Sequence, residues 1–471
     1  MHFSSFRIKN FKGIEDININ LSRSPKHNVY TLVGLNASGK TTILEAINHL
    51  ALDDDNLNPL ELKGYEITDV HDLIPINRRD NFTDEIIIEA SLELNKDDEK
   101  ALKEFSKTKP FAIKKDIKEI TVTRRLIFED SKHVDTEVTW GIEIHGVRRR
   151  DKLEMVLPPI KAKVFIPEIL TLVPSILYFP NFLFDFPDKI YLEDLEGLEE
   201  QGKHEFYRII LQDILDYLNN GLDLQKHVVD RANSTNKTDK THLESVLAKM
   251  SDTVTNVVFT AWNSIFGKRM ANKEIIISSG SDKFGVYIEF KVKDADGRFL
   301  ISERSLGFRW FFVFLLLTQF RIHRKEVRNN VLFLFDEPAS NLHPSAQTLL
   351  LESFTKLPKL IFTTHSHYLI NPLWLESTYV VKNKGLSYDQ EDDSYNSKKT
   401  KITITPYREF VAIHPNQTDY FKPILAVLDY APSKLEFVPE AIMVEGKNDF
   451  YTLNYFQNVI LKTKKSLAFL P

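Results

Sequence analysis

Residues 34–41 read GLNASGKT, which fits the pattern G-x-x-x-x-G-K-T at every fixed position. A strand-like apolar run precedes this stretch at residues 28–33, and a helix-like run follows it at residues 42–50. In this context the glycines let backbone amides face phosphate oxygens, and the new helix adds its positive end. The stretch therefore predicts a site for a nucleoside triphosphate.

Each residue type in this loop has an expected role. Lys40 is expected to reach the β- and γ-phosphates, and Thr41 is expected to give its hydroxyl to Mg²⁺. The predicted cofactors are accordingly ATP and Mg²⁺. The loop residues expected to bind ATP are Gly34, Asn36, Ser38, Gly39, Lys40, Thr41 and Thr42.

A second segment carries two consecutive acids at the end of an apolar run. Residues 331–337 read VLFLFDE, and such a continuous run is typical of a strand buried on both faces of a parallel sheet. At its carboxyl end Asp336 is expected to hold Mg²⁺ through water, while Glu337 orients or deprotonates the attacking water. Lys40 and Asp336 lie far apart in sequence, so an insertion must separate the two halves of the site.

Two further segments supply candidate phosphate contacts. Residues 360–366 read LIFTTHS, and a neutral His365 at the end of this strand can bond the γ-phosphate and sense its loss. Residues 305–309 read SLGFR before an apolar helix. Ser305 and Gly307 at this helix start either bind phosphate from outside or, alternatively, Ser305 simply caps a buried helix.

Composition limits the classes of function. The chain has 471 residues, enough for two or three domains, and a net charge of −5, so any contact with DNA would need a local basic patch. It contains no cysteine, which excludes disulfides and thiolate metal sites. The first residues lack a signal-peptide pattern, and the longest apolar run, at residues 310–317, is too short to span a bilayer. We therefore expect a cytoplasmic protein without a membrane partner.

The predicted fold class is α/β. Alternating patterns predict strands at residues 3–8 and 14–21, an antiparallel pair at 120–128 and 136–144, and an α/β alternation at 307–364. Residues 192–265 read as helical, with a polar break at 233–237. The predicted fold is thus a mixed β-sheet with a P-loop core, an antiparallel β-subdomain and a helical insertion.

Taken together, these segments resemble the ABC-type ATPases. Residues 34–41 would be Walker A, 305–309 the signature loop, 331–337 Walker B, 339–343 the D-loop, and His365 the switch histidine. The opening FRIKNFKGI at residues 6–14 resembles the soluble branch with RecF, SMC proteins and the OLD family. The resemblance implies ATP held between two heads, with Ser305 and Gly307 contacting the nucleotide of the partner. Leu306 and His343 depart from the transporter pattern, and residues 341–344 (NLHP) resemble OLD-like ATPases.

The last segment resembles the start of a Toprim domain, the fold of OLD nucleases. Residues 441–449 read AIMVEGKND, a strand followed by Glu-Gly-x-x-Asp. The resemblance assigns Glu445 and Asp449 to a metal site, while a chance strand–turn–helix without a metal role is the alternative. No Asp-x-Asp follows before Pro471, so nuclease activity is not expected of this chain alone.

The expected division is an ATPase N-terminal lobe at 1–180, a helical insertion for dimerisation at 181–270, an ATPase C-terminal lobe at 271–410, and a linker with a truncated Toprim start at 411–471. The leading hypothesis is an ATPase with catalytic residues Lys40, Glu337 and His365, acting as a homodimer or larger homo-oligomer. By resemblance it would be the sensor of an anti-phage defence system, with a nuclease or a reverse transcriptase and its DNA as partner.

Two alternatives remain open. The first is a RecF-like DNA-repair ATPase whose basic patches bind DNA, and the candidate patches are residues 114–118, 148–150 and 462–465. Charge runs of this kind are also common on an ordinary solvated surface. The second alternative is a scaffold that binds ATP without hydrolysing it and docks a partner protein.

Overall fold

A computed structural model describes most of the chain, and its contacts divide it into two compact units, 1–428 and 429–471. The described residues are 1–22, 28–50, 70–150, 152–180, 186–193, 200–218, 221–266, 273–295, 297–320, 330–339, 342–386, 399–413, 424, 428, 441–443, 452–453, 455–456 and 468–470.

The first unit contains the strands β1 (His2–Phe11), β2 (Ile14–Asn20), β3 (Val29–Val33), β4 (Asp84–Glu93), β5 (Phe111–Ile113), β6 (Glu119–Glu129), β7 (Lys132–Ile142), β8 (His145–Arg148), β9 (Leu153–Val156), β10 (Ser175–Phe179), β11 (Ile190–Tyr191), β12 (Glu274–Asp282), β13 (Gly285–Asp294), β14 (Gly297–Leu300), β15 (Val331–Phe335), β16 (Lys359–Thr364), β17 (Thr378–Asn383) and β18 (Ile402–Pro406). The second unit contains β19 (Ala441–Met443) and β20 (Ala468–Leu470), which pair in parallel.

The α-helices are α1 (Lys40–Asn48), α2 (Lys96–Lys107), α3 (Pro159–Ala162), α4 (Ile166–Leu172), α5 (Gln201–Tyr217), α6 (Asp230–Asn233), α7 (Lys237–Phe266), α8 (Leu306–Leu315), α9 (Pro344–Phe354) and α10 (Tyr407–Ala412). Across the described part of the chain, no helix has the length and apolar character needed to cross a bilayer.

Within the described residues, one mixed sheet of eleven strands organises the first unit, in the order β10-β15-β16-β3-β17-β18-β2-β1-β4-β6-β7. The strands from β10 to β17 pair in parallel, and those from β2 to β7 pair antiparallel. β18 joins the two halves by pairing antiparallel with β17 and parallel with β2. This mixed α/β architecture confirms the predicted fold class.

The parallel strands are apolar throughout because both of their faces are covered. In β15, Phe333 and Phe335 face a core built with α5, α7, α8 and α9. Leu332 and Leu334 face a second core, which contains α1 and the antiparallel strands. Alternation of side chains along a strand thus divides one apolar run between two cores.

Among the described residues of the first unit, two smaller sheets accompany the large one. The strand β13 pairs with β11, β12 and β14, and β5, β8 and β9 form a three-stranded antiparallel sheet. The block predicted as helical, 192–265, contains the helices α5, α6 and most of α7, which ends at Phe266. Its predicted polar break is confirmed, because α6 ends at Asn233 and α7 begins at Lys237.

The sequence interpretation missed β10 and β17, and both belong to the parallel half of the large sheet. Both are short runs of five or six residues, which periodicity alone does not distinguish from other buried segments. The helix predicted from residue 307 begins at Leu306, and its last turn, Leu316–Phe320, is a π-helix.

Candidate nucleotide site

The carboxyl ends of three neighbouring parallel strands bring the predicted segments together. Val33 at the end of β3 pairs with Thr364 of β16, and Phe362 of β16 pairs with Phe335 of β15. The residues that follow these strand ends therefore share one edge of the sheet, where open α/β sheets bind their ligands.

The loop between β3 and α1 turns back on itself around Lys40. Ala37 and Gly39 have positive φ angles of 58° and 97°. The buried Lys40 Nζ donates hydrogen bonds to the carbonyl oxygens of Gly34 (3.0 Å) and Leu35 (2.9 Å). A Cβ atom at Gly34 would lie 2.4 Å from the Val381 carbonyl oxygen, so only glycine fits there.

Asp336 accepts hydrogen bonds from hydroxyl groups on two different segments. Thr41 Oγ1 lies 3.0 and 2.9 Å from its two carboxylate oxygens, and Thr363 Oγ1 donates to Asp336 Oδ1 at 2.7 Å. The Thr363 hydroxyl also accepts the backbone N–H of Glu337 at 2.7 Å. The loop, β15 and β16 are thus tied together around one buried carboxylate.

Glu337 lies between the side chains of Lys40 and His365. Its Oε1 atom lies 3.4 Å from Lys40 Nζ and 3.0 Å from His365 Nδ1. Its backbone has a φ angle of 46°, in the left-handed region that non-glycine residues rarely adopt. Such conformations concentrate at functional sites.

Burial and charge shift the ionisation of all three central groups. Burial lowers the pKa of Lys40, against the opposing charge of Glu337. Burial raises the pKa of Asp336, although hydrogen bonds from Thr363 and Thr41 oppose the shift. For Glu337 burial acts to raise the pKa, but the hydrogen bond to His365 and the charge of Lys40 outweigh it, so the pKa is lowered.

These residues fit a magnesium-bound triphosphate. Ser38 Oγ is buried in the loop and has no hydrogen-bond partner among the described residues, so it is an orphaned polar group that a phosphate oxygen would satisfy. Thr41 and Asp336 supply the hydroxyl and carboxylate oxygens that Mg²⁺ prefers. No cluster of three or more metal-ligating side chains occurs among the described residues.

With that geometry in place, comparison with protein families assigns the chain. The family AAA_21, described as "AAA domain, putative AbiEii toxin, Type IV TA system", matches residues 29–371. The chain belongs to this family. The match spans both halves of the site, from the phosphate loop to His365. An ATPase domain of this kind implies ATP and typically Mg²⁺ as its ligands.

Individual relatives are more distant. An uncharacterized protein of Methanocaldococcus jannaschii, MJECL43, is 29% identical over 104 residues. That match covers 20% of this chain and 27% of the relative, so the chain spans about a quarter of that protein.

Solved structures similar to this chain include heads of SMC proteins. One is an SMC head bound to the C-terminal winged-helix domain of ScpA (14% identity, 88% of this chain and 100% of that chain, TM-score 0.45). Another is the SMC head domain from Thermotoga maritima (14%, 86% and 99%, TM-score 0.37). A third is an SMC head with an extended coiled coil, bound to the C-terminal domain of ScpA from Pyrococcus furiosus (14%, 88% and 99%, TM-score 0.40).

Sequence reasoning missed several residues around the phosphate loop of this AAA domain. A cavity of about 240 Å³ is lined by Lys12, Gly13, Asn36, Ala37, Gly39, Lys40, Thr41, Thr42, Ile76, Glu337, Asn383, Thr400 and Ile402. Lys12 forms an ion pair with Glu45 at 2.7 Å, and Asn383 Nδ2 donates to the Ala37 carbonyl at 3.3 Å. Lys12 belongs to the family-like stretch at residues 6–14, which could have indicated its place near the site. Asn383 belongs to no recognisable sequence pattern.

The predicted signature residues do not line this cavity. Ser305 is the N-cap of α8, and its side chain accepts the backbone N–H of Phe308 at 3.3 Å. Leu306 beside it is 55% exposed. This agrees with the capping interpretation and leaves the contact of Ser305 and Gly307 with a partner's nucleotide as a prediction. Glu445 and Asp449, the predicted Toprim metal ligands, lie outside the described residues.

Proposed function

We propose that this protein binds and hydrolyses ATP at an interface between two copies of its ATPase unit, and that hydrolysis resets a conformational clamp. The observation that carries the proposal is the convergence of Lys40, Thr41, Asp336, Glu337 and His365 at one edge of the sheet. This arrangement supplies the positioning and electrostatic stabilisation on which phosphoryl transfer depends.

The chemistry assigns a role to each side chain. Glu337 orients a water molecule and accepts its proton as the water oxygen attacks the γ-phosphorus, and the bond to the departing ADP oxygen breaks. Lys40 stabilises negative charge on the phosphates, and His365 responds to the presence of the γ-phosphate. Thr41 and Asp336 would hold Mg²⁺, which when bound would offset negative charge on the phosphates.

The biological setting follows from analogy with the family. We place the protein in the cytoplasm as the sensor or regulatory subunit of an anti-phage defence or toxin–antitoxin system, coupled to a Toprim-type or other nuclease. The matched family description supports this setting, since it names a type IV TA system. The OLD-like assignment remains part of this proposal.

The decisive experiment compares Glu337→Gln with the parent protein in steady-state ATP hydrolysis and in mass measurements by light scattering. We expect the variant to lose about 10²-fold or more in kcat, as for removal of a general base. It should keep its affinity for ATP, and ATP should increase the fraction of dimer.

The matched control is Glu352→Gln, which removes an exposed carboxylate on α9 and should hydrolyse ATP like the parent. Normal hydrolysis by Glu337→Gln would remove Glu337 from the mechanism. Absence of turnover in the parent itself, with ATP-dependent docking intact, would favour the scaffold alternative.

The RecF-like alternative also has structural support. Two of its predicted basic patches, at residues 114–118 and 148–150, follow opposite ends of the antiparallel pair β5 and β8. The third, at 462–465, lies outside the described residues. Salt-dependent binding to DNA would favour this alternative.

A further inference from the structure

The small sheet of β5, β8 and β9 joins two basic segments that are separate in sequence. In the register of this sheet, Phe111 pairs with Arg148 and Ile113 pairs with Gly146. The two basic segments, 107–118 and 145–152, are therefore joined by the pairing of β5 with β8, in which β5 contributes only three residues.

Backbone hydrogen bonds fix both ends of this junction. At one end, the Lys114 and Lys115 amides donate to the His145 carbonyl at 3.0 and 3.4 Å. At the other end, the Arg149 amide donates to the Pro110 carbonyl at 2.9 Å. The Arg149 guanidinium also donates to the Lys109 carbonyl at 3.0 Å. The cationic side chains consequently project from a fixed frame.

The charge of this region runs opposite to that of the whole chain. The two segments contain nine lysines and arginines but only two aspartates, in a protein of net charge −5. One of these aspartates, Asp116, is already bound by Lys103 at 2.5 Å. The region is therefore a local basic patch of the kind that an acidic protein needs in order to bind a polyanion.

Several of these cations are available for binding. In the described part of the chain, five exposed side chains of the patch form no ion pair; they are Lys114, Lys115, Lys118, Arg150 and Lys152. Between them, Ala112, Val147 and Glu154 pair across the sheet and share one face, on which Glu154 is exposed. The cations thus form two groups, one at each end of the short strands.

The spacing of the two groups suits a phosphodiester backbone. A three-residue strand is about 10 Å long, and a nucleic acid strand in a duplex carries one charge per about 3.4 Å of rise. The two groups therefore span about three consecutive phosphates. An acidic protein would need carboxylates placed at this same spacing to match both groups. A nucleic acid has phosphates at this spacing along its whole length.

We propose that the two cationic groups at the ends of the β5–β8–β9 sheet bind the sugar-phosphate backbone of a nucleic acid without reading its sequence. The contact uses none of the residues of the nucleotide site, so its failure would leave the ATPase proposal intact. Leu153 and Val156 are exposed beside the patch, which makes an acidic protein surface the competing occupant.

The test is fluorescence anisotropy of the full chain with labelled single-stranded and duplex DNA at several salt concentrations. The test variant reverses four charges: Lys114→Glu, Lys115→Glu, Arg150→Glu and Lys152→Glu. We expect the parent to bind with strong salt dependence. In the variant, the slope of log affinity against log salt should fall by about three on duplex DNA, because each lost phosphate contact accounts for about 0.9.

A matched control reverses four exposed lysines of the helical insertion: Lys226→Glu, Lys237→Glu, Lys240→Glu and Lys249→Glu. Equal melting temperatures and equal ATP hydrolysis establish that both variants are folded. The proposal is overturned if the control loses as much affinity as the test variant, or if the parent binds neither form of DNA at low salt. Equal displacement of the DNA by polyglutamate would also overturn it, in favour of an acidic protein partner.

Discussion

The hydroxyl group of Thr363 fixes both acids of the candidate site. This fully buried side chain donates to the carboxylate of Asp336 and accepts the backbone N–H of Glu337, both at 2.7 Å. One residue of β16 therefore sets the position of the expected metal ligand and the backbone of the expected base. A buried carboxylate that loses its donor becomes costly to keep charged.

Replacing Thr363 with valine keeps the shape of the side chain and removes the hydroxyl. We expect Thr363→Val to lower the free energy of unfolding by about 1–3 kcal/mol and to reduce kcat for ATP hydrolysis. Urea denaturation and an ATPase assay measure the two effects. Thr363→Ser should retain both properties. Thr348→Val, at an exposed position on α9, is the neutral control. Parental stability and turnover in Thr363→Val would show that this hydroxyl is dispensable.

Helix α7 protects an edge of the small β12-containing sheet. The backbone amides of Ile275 and Ile277 donate to Thr255 Oγ1 (2.8 Å) and Ser251 Oγ (2.9 Å). Thr255 Oγ1 in turn donates to the Ile275 carbonyl at 3.3 Å. The unpaired backbone groups of an edge strand can pair with a strand of another chain. Here the hydroxyl groups of Ser251 and Thr255 accept the backbone amides that a further strand would otherwise bind.

The double variant Ser251→Ala, Thr255→Val should expose this edge. We expect a loss of about 1–3 kcal/mol of stability per buried amide left without its acceptor, together with faster aggregation. Urea denaturation and light scattering on heating provide the measurements. Ser245→Ala, at an exposed position on the same helix, should behave as the parent does. If the double variant matched that control in both assays, the edge would not depend on these hydroxyls.

At the scale of the whole molecule, the nucleotide site exists only when distant segments share one sheet. The phosphate loop, the two acids and His365 come from three strands, and β3 lies between β16 and β17. Because a ligand that binds only the native state stabilises it, nucleotide binding should stabilise the entire first unit.

A non-hydrolysable ATP analogue with Mg²⁺ should therefore raise the melting temperature of the parent. At a ligand concentration 100 times Kd the stabilisation is about 2.7 kcal/mol, which differential scanning fluorimetry detects readily. Lys40→Ala should lose this shift, while Lys132→Ala, at an exposed position on β7, should keep it. An equal shift in Lys40→Ala would place the nucleotide elsewhere.

The features that could be predicted from the sequence are those encoded by a motif of a few consecutive residues. The phosphate loop and the acidic end of β15 each carry their chemistry within a few consecutive residues. The role of Thr363 could not be inferred in this way, because its partners follow another strand that is adjacent only in the fold. Asn383 likewise lies at the end of β17, a strand whose short apolar pattern fits several kinds of buried segment.

The position of β3 also affects how the protein is made. This strand leaves the ribosome early, but its two neighbours in the sheet are β16 and β17, which end at Thr364 and Asn383. Contacts over such long sequence separations form late, since the entropy of closing the loop must be overcome first. A nascent chain consequently carries its phosphate-binding sequence without a complete ATP pocket until translation has passed residue 383.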